Sequence, residues 1–405
     1  MQVKYARKID YYIGIPFCFL ITGLKYILKP FGIKRKEQPV KKILFVKFLE
    51  LGAIILAYPL LKQLKDKYPR AELFFVTFHK NKDIFPLLQD IIPQNHLLTI
   101  REKPWLFILD TFSAIKQLRK EKIDLVFDLE FFSRFSALFS YLVKSEKIVG
   151  FYHYCFEGLY RGNLLTHKIQ YNPLNHIAKN YLAFSLVVEQ EEKTTPQLES
   201  KVTIDAASFP LYRPNQEIKE RVLLKLKNLG INISPGKDRL FLINPGEGIL
   251  PLREWPIENF ISLSRQILKA SSHYVVVVGT EGADKKARQM LESINNPRCV
   301  SLVNQTELAE LMELFVIADS LISNDCGLAH LAMLTAVRKF ILFGPESPQI
   351  FGQLTQNSYP IYSNWSCSPC LSVLNHRDSA CKDNQCLKII DPGYVYNLVL
   401  ENSIS

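Results

Sequence analysis

Runs of apolar residues alternate with amphipathic stretches along most of this chain, beginning near residue 41. Residues 42–48 (KILFVKF) form a continuous apolar run that predicts a buried strand. Residues 54–69 carry an apolar stripe that ends at a proline, which is typical of an amphipathic helix. Residues 71–78 and 122–130 predict two further strands. Buried strands that alternate with amphipathic helices indicate a parallel sheet covered by helices.

The same alternation restarts in the second half of the chain, after a polar stretch at about residues 190–237. Its apolar runs predict strands that end in loops, at 239–246, 274–282, 320–325 and 339–345. The sequence therefore predicts an α/β fold with two Rossmann-like domains that face a cleft. The predicted organisation is a membrane-associating segment at 1–40, an N-terminal domain at 41–200, a connection at 201–237, a C-terminal domain at 238–390 and a tail at 391–405.

The positive charge is concentrated at the N-terminus of the 405-residue chain. Residues 1–42 contain ten of the Lys and Arg residues and two acidic ones, so they carry eight of the eleven net positive charges. Within this segment, residues 11–24 form a run of fourteen uncharged residues, shorter than the roughly 20 that a spanning helix needs. Basic and aromatic residues beside a short apolar run favour an in-plane or re-entrant membrane anchor on an anionic surface. The alternative is a helix that packs on the protein body.

A possible anion-binding turn lies in residues 320–334 (SLISNDCGLAHLAML). The pattern predicts a strand that ends at Asp325, a tight turn through Cys326 and Gly327, and a helix that carries His330 in its first turn. The first turn of a helix exposes unpaired N–H groups, so a diphosphate would fit here. An ordinary strand-to-helix loop with a capping aspartate would show the same pattern.

Three other loops follow strands of the same predicted sheet and would converge on that turn. They contain Gly246 and Arg253 after the first strand, Glu281 after the second and Gly344 after the last. Arg253 could pair with phosphate, and Glu281 could accept hydrogen bonds from a ribose or a base. Each could equally be a solvated loop charge or an acid at a helix start.

Taken together, these loops resemble glycosyltransferase family 9, the ADP-heptose:lipopolysaccharide heptosyltransferase family. The matching motifs are "NPG…REWP", "VVGTEG", "SNDCGLAHLA" and "LFGPESPQIFG", and residues 43–69 resemble the family's opening strand, loop and helix. The resemblance spans roughly residues 41–390. It implies a GT-B fold with the nucleotide-sugar donor in the C-terminal domain and the acceptor at the N-terminal domain. It also implies inverting transfer that needs no metal.

The resemblance implies donor contacts residue by residue. Arg253 stands at the family's phosphate-binding basic position, Asp325, Gly327 and His330 lie on the donor loop, and Gly344 follows the last strand; Glu281 matches in looser spacing. Cys326 replaces the usual Ser or Thr, and Glu346 replaces the usual Thr, so both are expected to alter the donor contacts.

The first loop departs from the family in a way that bears on catalysis. The family has Gly-Asp there, with the aspartate as candidate general base, whereas Gly52 is followed here by Ala53. Because inverting transfer needs a base for the acceptor hydroxyl, another acid is expected to serve. Glu130 is the first candidate, with Asp128 and Glu50 as the others. A carboxylate just after a strand could instead cap the next helix.

An anionic acceptor, such as a phosphorylated sugar or a lipid diphosphate, would need basic and polar contacts in the N-terminal domain. The expected acceptor-binding residues are Lys47, Gly52, Arg134, Arg161 and His176. A solvated helix face is the alternative for each of them.

Four of the eight cysteines cluster near the C-terminus, at Cys367, Cys370, Cys381 and Cys386. Four thiols this close could hold a structural zinc or an iron-sulfur centre, could remain unliganded, or could form disulfides, which a reducing cytoplasm disfavours.

Several enzyme classes are excluded by missing motifs. The chain has no G-x-G-x-x-G after its first strand, no P-loop and no basic-aromatic nucleic-acid motif. The expected function is therefore sugar transfer from a nucleotide diphosphate such as ADP-heptose to a lipopolysaccharide-core or lipid-linked acceptor, with no catalytic cofactor. The expected location is the cytoplasmic face of the membrane. The alternative is a degenerate GT-B protein that binds nucleotide or glycolipid without turnover.

Overall fold

The computed structural model describes residues 3–28, 39–152, 159–188, 202–205, 208–234, 236–246, 250–270 and 272–403. The chain divides into two compact units, Met1–Ser208 and Phe209–Ser405.

The first unit is built on a parallel sheet of six strands in the order β3-β2-β1-β4-β5-β6. The strands are β1 (Lys42–Val46), β2 (Glu72–Phe78), β3 (Leu97–Ile100), β4 (Leu125–Asp128), β5 (Lys147–Phe151) and β6 (His167–Ile169). The helices are α1 (Val3–Tyr12), α2 (Gly14–Leu28), α3 (Leu51–Leu56), α4 (Tyr58–Lys67), α5 (Pro104–Glu121), α6 (Arg134–Leu142), α7 (Ile177–Leu182) and α8 (Phe184–Val187), with 3-10 helices at His79–Leu88 and Gln94–His96.

The second unit repeats this topology, with a parallel sheet in the order β12-β11-β10-β7-β8-β9. The strands are β7 (Arg239–Asn244), β8 (His273–Val277), β9 (Cys299–Ser301), β10 (Ser320–Asn324), β11 (Arg338–Phe343) and β12 (Ser358–Tyr362). The helices are α9 (Gln216–Asn228), α10 (Ile257–Ile267), α11 (Asp284–Ile294), α12 (Leu308–Ile317), α13 (Gly327–Ala332), α14 (Pro348–Phe351), α15 (Gln385–Lys388) and α16 (Pro392–Ser403), with 3-10 helices at Pro251–Arg253 and Glu281–Ala283.

Both sheets therefore have the Rossmann strand order, and the predicted fold class of two Rossmann-like domains is confirmed. In each sheet the strand order reverses between the first and the fourth strand, which are β1 and β4 in one unit and β7 and β10 in the other. Ligands of such sheets bind beyond the carboxyl ends of the strands at this reversal point. The loops after these four strands are therefore the candidate location of a ligand-binding site.

The central strands are buried on both faces, as their continuous apolar sequences require. Ile43, Leu44 and Phe45 of β1 are fully buried. The ring of Phe45 stacks on Phe75 of β2 and on Phe127 of β4, at centroid distances of 6.2 and 5.4 Å. This aromatic packing fixes the position of β1, and with it the loop that follows.

The N-terminal helices α1 and α2 pack on α6 of the first unit. The Asp10 carboxylate accepts hydrogen bonds from the backbone N–H groups of Arg134 and Phe135, at 3.1 and 2.8 Å, and Cys18 is fully buried. A Cβ atom on Gly14 would lie 2.6 Å from the Arg134 Cβ, so glycine permits this close approach. The alternative of a helix that packs on the protein body therefore holds for one face.

The other face of these helices is apolar and exposed. Arg7–Leu28 is long and apolar enough to cross a membrane by length and composition, with only 11% of that window buried. The uncharged run at 11–24 is therefore part of a longer helical stretch that reaches the length of a span, and the in-plane or re-entrant anchor stays a prediction. The basic residues at 29–38 lie outside the described residues.

Two predicted boundaries differ from the structure. Helix α9 lies within the expected connection at 201–237, yet it packs on α12 inside the second unit. The expected tail at 391–405 contains α16, whose Val395 and Val399 are fully buried in the core of the second unit. Both segments are therefore structural parts of that unit.

Candidate functional site

The reversal point of the second sheet is bridged by asparagine side chains. The Asn244 amide at the end of β7 donates hydrogen bonds to Ser323 Oγ at 3.0 Å and to Cys326 Sγ at 3.1 Å. Its carbonyl oxygen accepts from the Gly246 N–H at 3.1 Å. Asn244 thus ties the loop after β7 to the loop after β10.

Asn324, the last residue of β10, makes the reciprocal connection. Its amide donates to the carbonyl oxygens of Pro245 and Gly246 at 3.1 and 3.2 Å, and its own oxygen accepts from the Trp255 N–H at 3.0 Å. Neither asparagine was among the residues expected from the sequence to bind a donor. Their positions at the ends of the two central strands are the signal that identifies them.

Next to this bridge lies a cluster of buried charges, which we call the donor-loop cluster: Arg253, Asp325, Glu346 and Arg377. The Arg253 guanidinium lies 3.4 Å from Asp325 Oδ2 and 2.9 Å from Glu346 Oε1. Arg377 Nε lies 3.1 Å from the same Glu346 oxygen. The predicted donor residues Arg253 and Asp325 are therefore brought together, and the positive charge of Arg253 is already paired with carboxylates.

Burial changes the protonation of these groups. It raises the pKa of Glu346 to about 7 and also raises the pKa of Asp325, although Arg253 opposes both shifts. Burial and, to a lesser extent, the charge of Arg253 together lower the pKa of His330 to about 4. His330 is therefore a neutral imidazole at pH 7, and its Nδ1 has no hydrogen-bond partner among the described residues. A buried polar atom without a partner is unusual in a folded protein, which makes this nitrogen a candidate ligand contact.

The predicted helix after β10 begins at Gly327, as expected, but α13 extends over only six residues. Burial raises the pKa of the Cys326 thiol, which keeps this residue neutral beside Asp325. The chemistry of this turn therefore rests more on the side chains of His330 and Asp325 than on a long helix dipole.

The predicted glycines have different roles. Gly246 lies in the bridged loop, where a Cβ would meet Asn244 Oδ1 at 3.1 Å. At Gly344 a Cβ would lie 2.5 Å from Leu387 Cγ, so helix α15 covers this position and close packing explains the glycine. The side chain of Glu281 lies outside the described residues.

The reversal point of the first sheet carries a second buried charge cluster, which we call the first-loop cluster: Lys47, Glu130, Asp128 and Arg161. Lys47 Nζ, fully buried, donates to Glu130 Oε2 at 3.0 Å. Glu130 Oε1 accepts from the backbone N–H groups of Phe48 and Leu49 at 2.6 and 2.9 Å. Glu130 is buried and both of its oxygens are occupied, so the structure argues against it as the general base.

Asp128 is also internal. Its carboxylate pairs with Arg161 and accepts from Ser136 Oγ at 3.0 Å, and burial raises its pKa against the influence of Arg161. Arg161 further donates to the carbonyl oxygens of Glu130 and Phe151. Asp128 and Arg161 therefore support the first loop, and neither presents its charge to a substrate.

Glu50 is the acid of the first loop that keeps access to solvent. Its side chain is 26% exposed, and Oε2 lies 4.0 Å from Lys47 Nζ. Its φ of +68° is a backbone conformation that is unusual for a residue with a side chain. Such local strain is often retained where a loop serves function. Gly52 and Ala53 follow it and are buried within α3.

The remaining predicted acceptor residues serve the fold. Arg134 is buried, pairs with Asp10 and donates through Nε to the Tyr160 carbonyl oxygen at 2.8 Å. His176 caps the start of α7, where its Nδ1 accepts from the Ala178 N–H at 3.2 Å. Lys47 is held by Glu130. The expected acceptor set therefore consists of side chains that are internal to the first unit.

Comparison with known proteins identifies the family to which these loops belong. A sequence model of glycosyltransferase family 9 (heptosyltransferase) matches residues 111–380, about two thirds of the chain. The chain belongs to glycosyltransferase family 9. Its lipooligosaccharide heptosyltransferase 2 relative from Haemophilus ducreyi is 22% identical over 326 residues, which cover 78% of this chain and 87% of that protein.

Other curated family 9 relatives are matched over shorter stretches. The lipopolysaccharide heptosyltransferase 2 of Salmonella typhimurium is 25% identical over 117 residues, which cover 28% of this chain and 33% of that protein. Among solved structures, the ADP-heptose lipopolysaccharide heptosyltransferase II of E. coli superposes with a TM-score of 0.65 at 19% identity, over 90% of this chain and 100% of that one. This similarity confirms the GT-B fold.

The C-terminal cysteines of this family 9 protein lie beside the loops after β7 and β11. All four line one cavity of about 100 Å³, together with Leu252, Pro345 and Trp365. The segment is bonded to these loops: the Cys370 N–H donates to the Pro345 carbonyl oxygen at 3.0 Å, and the Asn384 amide donates to the Leu252 carbonyl oxygen at 3.1 Å. Within the described part of the chain, however, no three His, Cys, Asp or Glu side chains stand in a metal-binding arrangement.

Arg377 is the charged residue that the sequence analysis missed. It belongs to the cysteine-containing segment, its guanidinium lies 4.8 Å from the ring centroid of Phe351, and it pairs with Glu346. Its sequence neighbourhood resembles an ordinary polar loop. Only the fold brings it to the loop that follows β11.

Proposed function

We propose that this protein is an inverting glycosyltransferase that moves a heptose, or a similar sugar, from a nucleotide-diphosphate donor to a lipopolysaccharide-core or lipid-linked acceptor. Its membership of glycosyltransferase family 9 supports sugar transfer, and the names of its relatives suggest ADP-heptose as the first donor to test. The observation that carries the proposal is the donor-loop cluster with the buried, unpartnered imidazole nitrogen of His330, at the reversal point of the second sheet.

The cluster has the groups that a sugar diphosphate needs. Arg253 would neutralise phosphate charge, while neutral His330 would donate or accept a hydrogen bond without adding a buried charge. Protonation of Glu346 would release part of the Arg253 charge when the anionic donor enters. Transfer itself would then require no resident cofactor.

For proton removal from the acceptor we propose Glu50. It occupies the first loop, it is partly exposed, and Lys47 would stabilise its carboxylate. Glu50→Gln keeps the size of the side chain but removes its basicity, so turnover should fall about 10²–10⁴-fold. Donor affinity should stay unchanged, because the donor would contact the second unit.

The test combines binding with turnover. Purified protein is titrated with ADP-heptose and with other nucleotide sugars while its melting temperature is recorded, and transfer to purified lipopolysaccharide core is then followed by mass spectrometry. The proposal predicts stabilisation by one class of nucleotide sugar and product formation with that donor. Stabilisation without product across a broad acceptor panel would favour the alternative of a binding-only GT-B protein, which the loss of the usual aspartate at Ala53 makes a specific rival.

We also propose that the protein acts at the cytoplasmic face of the membrane, held there by α1 and α2. Their exposed face carries large apolar side chains, which include Phe19, Leu20 and Ile27. Deleting these helices would also remove Asp10 from Arg134, so substitution is the cleaner test. Phe19→Ser with Leu20→Ser should shift the protein from the membrane fraction to the soluble fraction and leave its melting temperature unchanged.

Finally, we propose a structural zinc between Cys367, Cys370, Cys381 and Cys386. The four thiols line one small cavity but do not yet stand in a metal-binding arrangement, so zinc binding would have to draw them together. The bound ion would then fasten the segment that contacts the loops after β7 and β11. Metal analysis of the purified protein should find zinc in stoichiometric amount, and Cys370→Ser should lose it. Metal-free protein with four freely titrating thiols would contradict the proposal, and iron in place of zinc would identify the other metal class that such thiols bind.

A further inference from the structure

Helix α5 has an exposed face that is apolar. Its buried side contains Ala114, Ile115 and Leu118 in the core of the first unit. The opposite side exposes four large apolar residues, among them Trp105, which is 74% exposed, and Phe112, which is 68% exposed; the other two are Ile108 and Leu109. These positions follow the spacing of one helix face. Large apolar side chains that share an exposed face indicate an interaction surface.

The same face becomes basic in the next turns of the helix. By helical spacing, Lys116, Arg119 and Lys120 follow Phe112 on the exposed side, and all three are exposed. Residues 101–122 contain six basic and three acidic residues. All three acids are already paired with basic residues: Asp110 with Arg101, Glu121 with Lys42 and Glu102 with Lys80. The exposed face is thus an aromatic and aliphatic patch beside Lys116, Arg119 and Lys120, none of which forms an ion pair with another described residue.

This face lies in the same neighbourhood as the N-terminal helices. Phe107 of α5 packs on Phe135 of α6, with ring centroids 4.9 Å apart, and the Phe135 N–H donates to Asp10 of α1 at 2.8 Å. Helix α6 therefore contacts both α5 and the α1–α2 pair, whose outer face is also apolar.

We propose that the exposed face of α5 binds an anionic lipid surface, as a second contact beside α1 and α2. A tryptophan and a phenylalanine would enter the region between headgroups and acyl chains, while the lysines and Arg119 would meet lipid phosphates. The basic continuation favours lipid over an apolar protein partner. The inference rests on the proposed membrane association. Two separate contacts would fix the orientation of the first unit on the bilayer, whereas the contact through α1 and α2 alone would not.

Trp105 supplies a direct probe in the full-length chain. Vesicles of phosphatidylglycerol and phosphatidylethanolamine that carry brominated acyl chains quench tryptophan emission only where the indole reaches the acyl region. The fluorescence of the protein should be partly quenched and shifted to shorter wavelength on these vesicles. In Trp105→Phe, which keeps the apolar character, the quenching and the shift to shorter wavelength should be lost while vesicle binding persists. Unchanged quenching in Trp105→Phe would overturn the proposal.

Paired substitutions then separate the two contacts. The double variant Ile108→Ser with Phe112→Ser should weaken vesicle binding by at least about tenfold, because each substitution removes a large apolar side chain that would be buried in the lipid. Leu174→Ser, at a residue 87% exposed on the same unit, is the matched control and should leave binding unchanged. Melting temperatures establish that each variant is folded.

The outcomes distinguish this inference from the proposed anchor. If Phe19→Ser with Leu20→Ser abolishes binding and the α5 pair has no effect, the anchor stands and the α5 contact is wrong. If only the α5 pair weakens binding, the anchor is wrong and the α5 contact stands. Normal vesicle binding combined with a loss of self-association in the α5 pair would show that this face binds a second protein chain. Equal binding to vesicles with and without phosphatidylglycerol would contradict the role of the basic residues.

Discussion

Replacing Glu130 by glutamine separates a structural role for this carboxylate from a catalytic one. In the first-loop cluster Glu130 compensates the fully buried Lys47 and accepts hydrogen bonds from two backbone N–H groups. A glutamine can still accept those two hydrogen bonds through its oxygen. Its amide nitrogen, however, would then face the Lys47 ammonium, so that two donors meet and the buried positive charge loses its nearest carboxylate.

The expected cost follows from the burial of the pair. Removing one partner of a buried ion pair typically costs about 3–5 kcal/mol of unfolding free energy. For a unit of this size each kcal/mol corresponds to a fall of about 2–4 °C in melting temperature, so the first unit should melt about 6–20 °C lower. The double variant Lys47→Met with Glu130→Gln removes both charges and should recover most of this loss.

Differential scanning calorimetry on the wild type, both single variants and the double variant measures these effects as a double-mutant cycle. Turnover is measured at a temperature where every variant is folded. Unchanged stability in Glu130→Gln would contradict the structural role. Wild-type stability combined with a loss of turnover by 10² or more, of the size expected for a general base, would return the catalytic role to Glu130.

Three further predictions concern the other contacts. Because the pKa of Glu346 is about 7, its carboxylate forms as pH rises through 7 and compensates Arg253; nucleotide-sugar affinity should therefore fall over that range, and Glu346→Gln should remove this dependence in calorimetric titrations. Gly344→Ala should lower unfolding free energy by about 1–3 kcal/mol in denaturant titrations, since its Cβ would collide with buried Leu387, and unchanged stability would contradict the packing role. Asp10→Ala removes the acceptor at the start of α6 and should cost about 1 kcal/mol by the same measurement, whereas a neutral change would show that α1 contributes little to the fold.

Much of the fold was accessible from the sequence because the central strands are continuous apolar runs. Residues 42–48 and 239–246 predicted the first strand of each sheet, and the polar segments after them predicted the loops at the reversal points. Helix α9 was missed because only Val222 and Leu226 of its residues are buried, which leaves most of the segment polar. The C-terminal helix was missed because its apolar residues follow a segment that resembles a loop.

For the candidate site, the sequence predicted which residues lie near one another but not how their charges are paired. Asp325, Arg253 and His330 were expected near one another, and the fold brings them together. Which charge is free and which is paired depends on neighbours that are distant in sequence. Arg377 reaches Glu346 from a loop with no visible signal.

The same limit explains why the structure gives several predicted residues of the first unit internal contacts. Glu130 was the preferred base because it follows a buried strand. In the structure its carboxylate is buried and accepts a hydrogen bond from Lys47. Arg134 and Arg161 resembled acceptor contacts because basic residues in a polar stretch have the same appearance whether they face solvent or a buried carboxylate. Burial and pairing are tertiary properties, and one sequence does not contain them.

The central claim is that a nucleotide sugar binds the loops at the reversal point of the second sheet, and calorimetric titration of His330→Ala with ADP-heptose tests it most directly. His330 is chosen because its buried Nδ1 has no hydrogen-bond partner among the described residues. His273→Ala, at the opposite end of a strand in the same sheet, is the matched control. Loss of one buried hydrogen bond to an anionic ligand should weaken affinity by about tenfold or more in His330→Ala, with wild-type affinity in the control. Equal, tight binding of the donor to wild type and His330→Ala would contradict this account of the site.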